Sequence, residues 1–384
     1  MTTVDIGIVG AGVMGAAAAC ELAREGVSVA LIDQSAIPNP RAASVDHSKV
    51  FRFAYPDPFY VKLAVDALGR WHELQTMTGA KLLTQTGALL IGKHETSFET
   101  ECHAAMRSLA LESEMLDTRQ VNERFPQFNC NAFAYGVYDP SGAILHAETA
   151  VRALVELARQ RGVAVLQASR VIDLRQAPGL RVSIVTEFGD VIECKRVLVA
   201  SGPWSRKLLP FLKNNLSTTR QELVYFEPVS KQNKDPQFNF EPNNFPIFLE
   251  LESGFYGFPV HHSGAMKIAN HHKGDQVDPD SAERPVGDQF IDSCRAFFSE
   301  YIPGLADASL RETRVCIYNN TPDDDFIIDW HPQLEGVLVA TGFSGHGFKF
   351  GPAIGRIAAD LLTRGETAID IDRFRLTRFN YKSR

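Results

Sequence analysis

Short apolar runs closed by glycine turns punctuate the chain. Ile6-Gly7-Ile8-Val9 predicts a strand and Gly10-Ala11-Gly12-Val13-Met14-Gly15 a turn; Ala16 to Arg24 has helical composition, and Val27 to Ile32 reads as a second strand. Two later runs resemble further strands of the same sheet. Val197 to Ala200 leads into Ser201-Gly202-Pro203-Trp204, and Val337 to Ala340 leads into Thr341-Gly342-Phe343-Ser344-Gly345-His346-Gly347. Ala353 to Leu362 follows as a predicted helix. A sheet drawn from the beginning, middle and end of the chain implies that other structure is inserted between, at about residues 82–140 and 218–312. In the second insert, Phe255 to Val260 and Ala265 to Asn270 flank a tight turn, which predicts antiparallel β structure.

The first glycine turn carries chemistry. Its glycines permit a sharp bend and close backbone approach to a pyrophosphate, whose charge then meets the positive end of the following helix. Asp33 closes the second strand eighteen residues beyond Gly15, where a carboxylate can accept hydrogen bonds from a ribose. Strand, G-x-G-x-x-G, helix, strand and acid together predict a dinucleotide site.

Composition narrows the partner. The 384 residues exceed one ordinary domain, and the net charge of -7 comes without any run of Lys and Arg, which argues against nucleic acid and for a small molecule. No basic leader or long apolar span precedes the first strand, so neither signal peptide nor membrane segment is expected. Six cysteines are scattered singly, without a C-x-x-C pair, which suits a reducing cytoplasm.

Beyond Gly10 to Gly15 and Asp33, the distinctive stretches are Tyr256-Gly257-Phe258-Pro259, Cys316-Ile317-Tyr318, Phe326-Ile327-Ile328-Asp329 with His331-Pro332, and Gly342 to Phe350. With these the chain resembles, over nearly its whole length, the monomeric sarcosine oxidase family of flavoproteins, which includes N-methyl and fructosyl amino acid oxidases. The resemblance implies an α/β fold in which a Rossmann-type FAD-binding domain (1–81, 141–217, 313–384) interleaves with an antiparallel-sheet substrate domain (82–140, 218–312). It also implies a monomer, and FAD held covalently by a thioether to Cys316. For the cofactor it points to Gly10, Gly12, Val13, Met14, Gly15, Asp33 and Gln34 at the first turn and second strand. Ser44, Lys49, Val171, Ser201, Gly202 and Trp204 follow, then Gly342, Gly345, His346, Gly347 and Lys349.

For the reaction, the resemblance makes Lys267 the cation that assists oxygen and His271 an active-site histidine that contacts or tunes substrate. Four residues apart in a predicted strand, they share a face and are expected to line one cavity. Arg52 and Lys349 would bind a substrate carboxylate, the guanidinium by paired donors and the ammonium as a compact charge. Tyr256 and Tyr318 would wall the pocket. Cys316 and Tyr318 alternate onto one strand face. Histidines 261, 262, 271 and 272 lack the spacing and carboxylate support of a metal site, so no metal is expected. Lys49 stands where sarcosine oxidases have arginine, and the segment around it looks more like the branch with fructosyl amino acid, saccharopine and pipecolate oxidases.

The reaction so implied transfers a hydride from the carbon beside a neutral secondary amine to the flavin; the imine is hydrolysed and oxygen becomes hydrogen peroxide. Three alternatives stay open: a flavin dehydrogenase using another acceptor, an NAD-dependent dehydrogenase, and a tRNA-modifying flavin module.

Overall fold

The computed structural model describes residues 2–94, 97–179, 181–229, 235–281 and 285–379. Its first sheet is built on five parallel strands in the order Ala164–Leu166, Val29–Ile32, Thr2–Val9, Val191–Val199 and Val337–Thr341. Ile327–Trp330 extends it antiparallel, and the hairpin Val171–Ala177/Arg181–Thr186 pairs with the early half of Val191–Val199. The four predicted runs are thus neighbours, aligned so that the glycine turns after three of them emerge at one end.

Helices Val13–Arg24 and Gly351–Arg364 cover this sheet. They cross on small residues. A Cβ on Gly355 would meet the Ala17 backbone at 2.7 Å, and the alanine run Ala16–Ala19 is buried, so the axes approach more closely than leucines would allow. Helix Pro58–Thr78 packs beside them; Asp57 caps its start by accepting from Phe59 N at 2.8 Å, and Gly79, at φ 65°, ends it in the left-handed region.

The second sheet has eight strands, in the order Ser309–Asn320, Ser217–Glu227, Met266–Asn270, Phe255–Gly257, Ile247–Glu250, Ala88–Gly92, Tyr135–Asp139 and Glu114–Asp117. All pairings are antiparallel except Ile247–Glu250 with Ala88–Gly92, a parallel step that alternation alone does not foretell. Its outer face forms a phenylalanine-rich core under helix Asp288–Tyr301, with Phe226, Phe245, Phe248 and Phe298 almost fully buried. Two details depart from the expected division. Ser309–Asn320, grouped from residue 313 with the cofactor domain, pairs along its length with Ser217–Glu227, because eleven matched backbone positions bind it into the second sheet. A small sheet of Lys49–Phe51, Ala143–Leu145 and Leu83–Gln85 ties the segments together.

Candidate active site

Where the parallel strands end, a cleft runs from the first glycine turn to strand Ser309–Asn320. Gly10, Gly12, Val13 and Met14 line one end with Asp33 and Gln34; Ser44, Val171, Ser201, Gly202 and Trp204 form the walls. Cys316, Gly345 and Gly347 close the other end. The backbone there leaves no room for side chains: at Gly10, φ is 103° and a Cβ would strike the Ala200 carbonyl, and at Gly12 it would lie 2.9 Å from Ser44 Oγ. Asp33 accepts from Ala11 N at 2.9 Å and from Ser35 N at 3.0 Å, yet burial still raises its carboxyl above the usual range. Asn319 also faces the cleft, with a buried Oδ1 lacking a partner. A glycine cradle, a ribose-facing acid and an unmatched acceptor fit a bound dinucleotide.

Four residues expected at the cofactor lie outside the cleft. Gly15 serves packing instead, since a Cβ there would run into the Gly10 carbonyl under the turn. Gly342 adopts φ 67° against Thr321. His346 turns its ring to Tyr55 and the Asp324 carbonyl, and Lys349 points to Tyr55. Asn39, Ala43 and Asn319, which motif reading missed, line the cleft in place of these, carried by irregular segments or a β edge with no signature of their own.

Beside the cleft opens a cavity of about 640 Å³, lined by Arg52, Tyr55, Tyr256, His271, His346 and Lys349, among others. Lys49, Cys316, Tyr318, Gly345 and Phe348 line both spaces and so mark their junction. Strand alternation puts Cys316 and Tyr318 on the same face, as expected, clustered with Leu223, Tyr225 and Ala269. Burial pushes the Tyr256 hydroxyl up to about 12 and raises that of Tyr318 well above its ordinary range.

Two cations of the cavity wall, Arg52 and Lys349, meet at Tyr55. Arg52 is buried, its guanidinium 4.4 Å over the Tyr55 ring, and its Nη1 has no hydrogen-bond partner. Lys349 Nζ donates to Tyr55 Oη at 2.9 Å and to the His346 carbonyl at 2.8 Å. Neither cation has a carboxylate partner among the described residues. Burial, reinforced by Arg52, holds the Lys349 ammonium well below its ordinary range; burial and both cations pull His271 down to about 4. Two buried charges without counter-ions require an anion to be stable as charges. Tyr55, which sequence reading did not single out, is the residue that joins them.

Lys267 departs from expectation. His271 follows strand Met266–Asn270 and reaches the cavity, but Lys267 lines neither space and is 1% exposed. Its Nζ is ion-paired with Asp46 Oδ2 and donates to the Ser48 carbonyl at 3.0 Å. His271 lies just past the strand's end, and Asp46 and Ser48 cover Lys267 within it. Asp46, also 1% exposed, takes further bonds from Tyr225 Oη and His47 N, both at 2.8 Å. Despite burial, Lys267 and Lys49 keep its carboxyl far below the usual range.

Of the four histidines weighed for metal, His262 joins a group not foreseen, with His47 and Glu312. The two imidazoles stack in parallel at 3.4 Å, with His47 3.0 Å from Glu312 and Arg314 on the other Glu312 oxygen, so the cluster is already an ion-paired stack.

The buried histidines predict an acid limit to stability. His261 and His271 both fall from 6.5 to about 4, burial being the main cause. Between those values the unfolded chain binds more protons, so the stability from keeping them neutral is full above pH 6.5 and is lost as pH falls. Urea unfolding at pH 7.5 and pH 5 should differ by roughly 2 kcal/mol per histidine. A flat profile would refute their burial as neutral rings.

Comparisons with known proteins agree with this geometry. A family model described as FAD dependent oxidoreductase matches residues 5–361. Monomeric sarcosine oxidase of Bacillus sp. (strain B-0618) is 36% identical, covering 98% of this chain and 96% of its own. N-methyl-L-tryptophan oxidase of Yersinia pestis (strain Pestoides F) is 30% identical, covering 98% and 99%. In fold, the crystal structure of L-proline dehydrogenase from P. horikoshii superposes with a TM-score of 0.86 at 19% identity, covering 99% of this chain and 98% of that one. The matched glycine cradle, the interleaved sheets and full-length similarity lead to one assignment: this chain belongs to the FAD dependent oxidoreductase family.

Proposed function

We propose that this flavoenzyme oxidises the carbon–nitrogen bond of a small secondary amine bearing a carboxylate, an N-substituted amino acid. The observation that carries the reading is the Arg52–Lys349 pair, two buried cations with an unused Arg52 donor in the wall of a cavity that abuts the cofactor cleft. A substrate carboxylate placed there would satisfy both. Substrate oxidation by the sarcosine and N-methyl-L-tryptophan oxidases, relatives of full length, supports the same class.

Bound FAD supplies a two-electron acceptor for a hydride, and Cys316, at the junction of cleft and cavity, is the residue proposed to tether it. Arg52 and Lys349 hold the carboxylate and thereby aim the rest of the substrate toward the junction. Tyr256, Tyr318 and neutral His271 line its path without adding charge, so the substrate's amine can reside there in its unprotonated form. Water then hydrolyses the imine product, and we propose oxygen as the final acceptor, yielding hydrogen peroxide. Six unpaired cysteines suit a cytoplasmic setting, and a monomer is the proposed working form. No described helix is long and apolar enough to cross a membrane.

A flavin dehydrogenase reading has one observation in its favour, the neutralisation of Lys267 by Asp46. Oxygen uptake decides between them. With an N-methyl or N-fructosyl amino acid, the oxidase should form one peroxide per substrate consumed in air. Substrate turnover only with an added dye, and no peroxide, would establish the dehydrogenase.

A further inference from the structure

Three separate connections of the first sheet contribute to the walls of the cofactor cleft: residues 39–44 after strand Val29–Ile32, 169–172 after Ala164–Leu166 and 201–208 after Val191–Val199. All three are pinned to one residue from outside. Arg170 Nη2 donates to Asp280 Oδ2 at 3.0 Å, Trp204 Nε1 to Asp280 Oδ1 at 2.7 Å, and Arg41 Nη1 to the Asp280 carbonyl at 3.0 Å. Lys207 Nζ bonds both Asp280 Oδ2 and Asp278 Oδ1. Asp280 itself lines neither cleft nor cavity. It ends a strap, residues 274–280, that is tied to strand Ser217–Glu227 of the second sheet: Gly274 N donates to Gln221 Oε1, Arg220 N to the Asp275 carbonyl and Val277 N to the Thr218 carbonyl. Despite the burial that opposes it, bonds from Lys207 and Trp204 and the nearby Arg170 hold the Asp280 carboxyl down to about 2, so its charge is present at neutral pH. Ile172 and Lys207, both exposed members of the cleft lining, mark where the cleft meets solvent, so the pinned walls flank the way in.

We propose that Asp280 is a positioning residue that latches the cofactor cleft: closed, it ties the three walls across the opening; released, it lets them part for the dinucleotide to pass. The inference rests on the flavin and is independent of the substrate reading. Opening also uncovers Arg170 and Lys207, whose charges Asp280 cancels when shut, and these attract an incoming pyrophosphate. Each pair is partly exposed and contributes little alone, but the donors to one carboxylate let go together, so the latch is weak enough to open and is sensitive to salt.

The test uses the full chain carrying Cys316→Ser, in which no thioether can mask release, so flavin fluorescence reads both uptake of FAD by the apoprotein and its loss from the loaded protein. Added to this parent, Asp280→Asn should speed both by about tenfold and leave the dissociation constant within about threefold, because a latch raises one barrier in both directions. Asp280→Glu should restore slow exchange. Raising salt should quicken release from the parent and leave Asp280→Asn unmoved. Release that quickens without uptake would make Asp280 a stabiliser of the bound state alone, and a lowered melting temperature with unchanged exchange would make it a brace of the fold; either result overturns the proposal. Lys207→Met, at an exposed side chain, should also quicken release and decides the matter if Asp280→Asn does not fold; unchanged release there refutes the latch. If the Cys316→Ser chain holds no flavin, uptake by the Cys316-bearing apoprotein is the measure, and an Asp280→Asn chain that loads no faster refutes it.

Discussion

Replacing Arg52 and Lys349 together by methionine should weaken binding of a carboxylate substrate on the order of a thousandfold while leaving the fold intact or firmer. Each charge-assisted bond to the carboxylate contributes roughly 1.5–3 kcal/mol, and the two sum to about that factor. The free protein, by contrast, holds the two cations buried and without counter-ions, so removing them relieves a cost instead of breaking a pair. His271, held down partly by both charges, should titrate higher in the double variant. Flavin absorbance perturbation by a redox-inert carboxylate gives the affinity, and urea unfolding the stability. A loss below tenfold would mean that the carboxylate binds elsewhere.

Lys267→Met should destabilise the protein by about 3–5 kcal/mol, because it leaves Asp46 charged, 1% exposed and without its contacting cation. Lys49, at 3.8 Å, compensates only in part. Asp46→Asn in the same protein should restore much of the loss, since the amide needs no counter-charge and can still accept from Tyr225 Oη. The single variant should also regain stability as pH falls and Asp46 takes a proton, opposite to the parent, whose Asp46 carboxyl is held far below the usual range. Thermal or urea unfolding of the four members of the cycle measures the coupling. A coupling under 1 kcal/mol would show that the pair is not a buried ion pair in solution.

Local pattern carried the sequence reading furthest where backbone geometry itself makes the site. Gly10 has to be glycine because its φ is 103° and a Cβ would meet the Ala200 carbonyl, a Cβ at Gly12 would crowd Ser44 Oγ, and the strands beside them need short apolar runs, so fingerprint and fold arrive together. Alternation likewise put Cys316 with Tyr318. Long-range pairing was harder to read. Nothing in Val315-Cys316-Ile317 says that its partner is Arg220–Glu222, the pairing that binds this strand into the second sheet. Side-chain partners across the chain were harder still. Asp46 and Lys267 are 221 positions apart, and a lysine on a strand face gives no sign that a carboxylate from a loop will cover it. Tyr55 escaped notice for a related reason: its partners, Lys349 and His346, lie almost 300 residues on. Substrate size stayed unread because the cavity walls come from loops and strand ends in several segments.

The central claim, a flavin that takes electrons from a carboxylate-bearing secondary amine, is tested most directly by an anaerobic absorbance titration of the purified protein. Sarcosine, N-methyl amino acids, pipecolate, saccharopine and fructosyl amino acids would each be added under nitrogen. The account predicts a yellow protein whose flavin band is bleached by at least one of these classes, with no bleaching by the matching amine that lacks the carboxylate. A yellow protein bleached by none, or equally by the carboxylate-free amine, would contradict it.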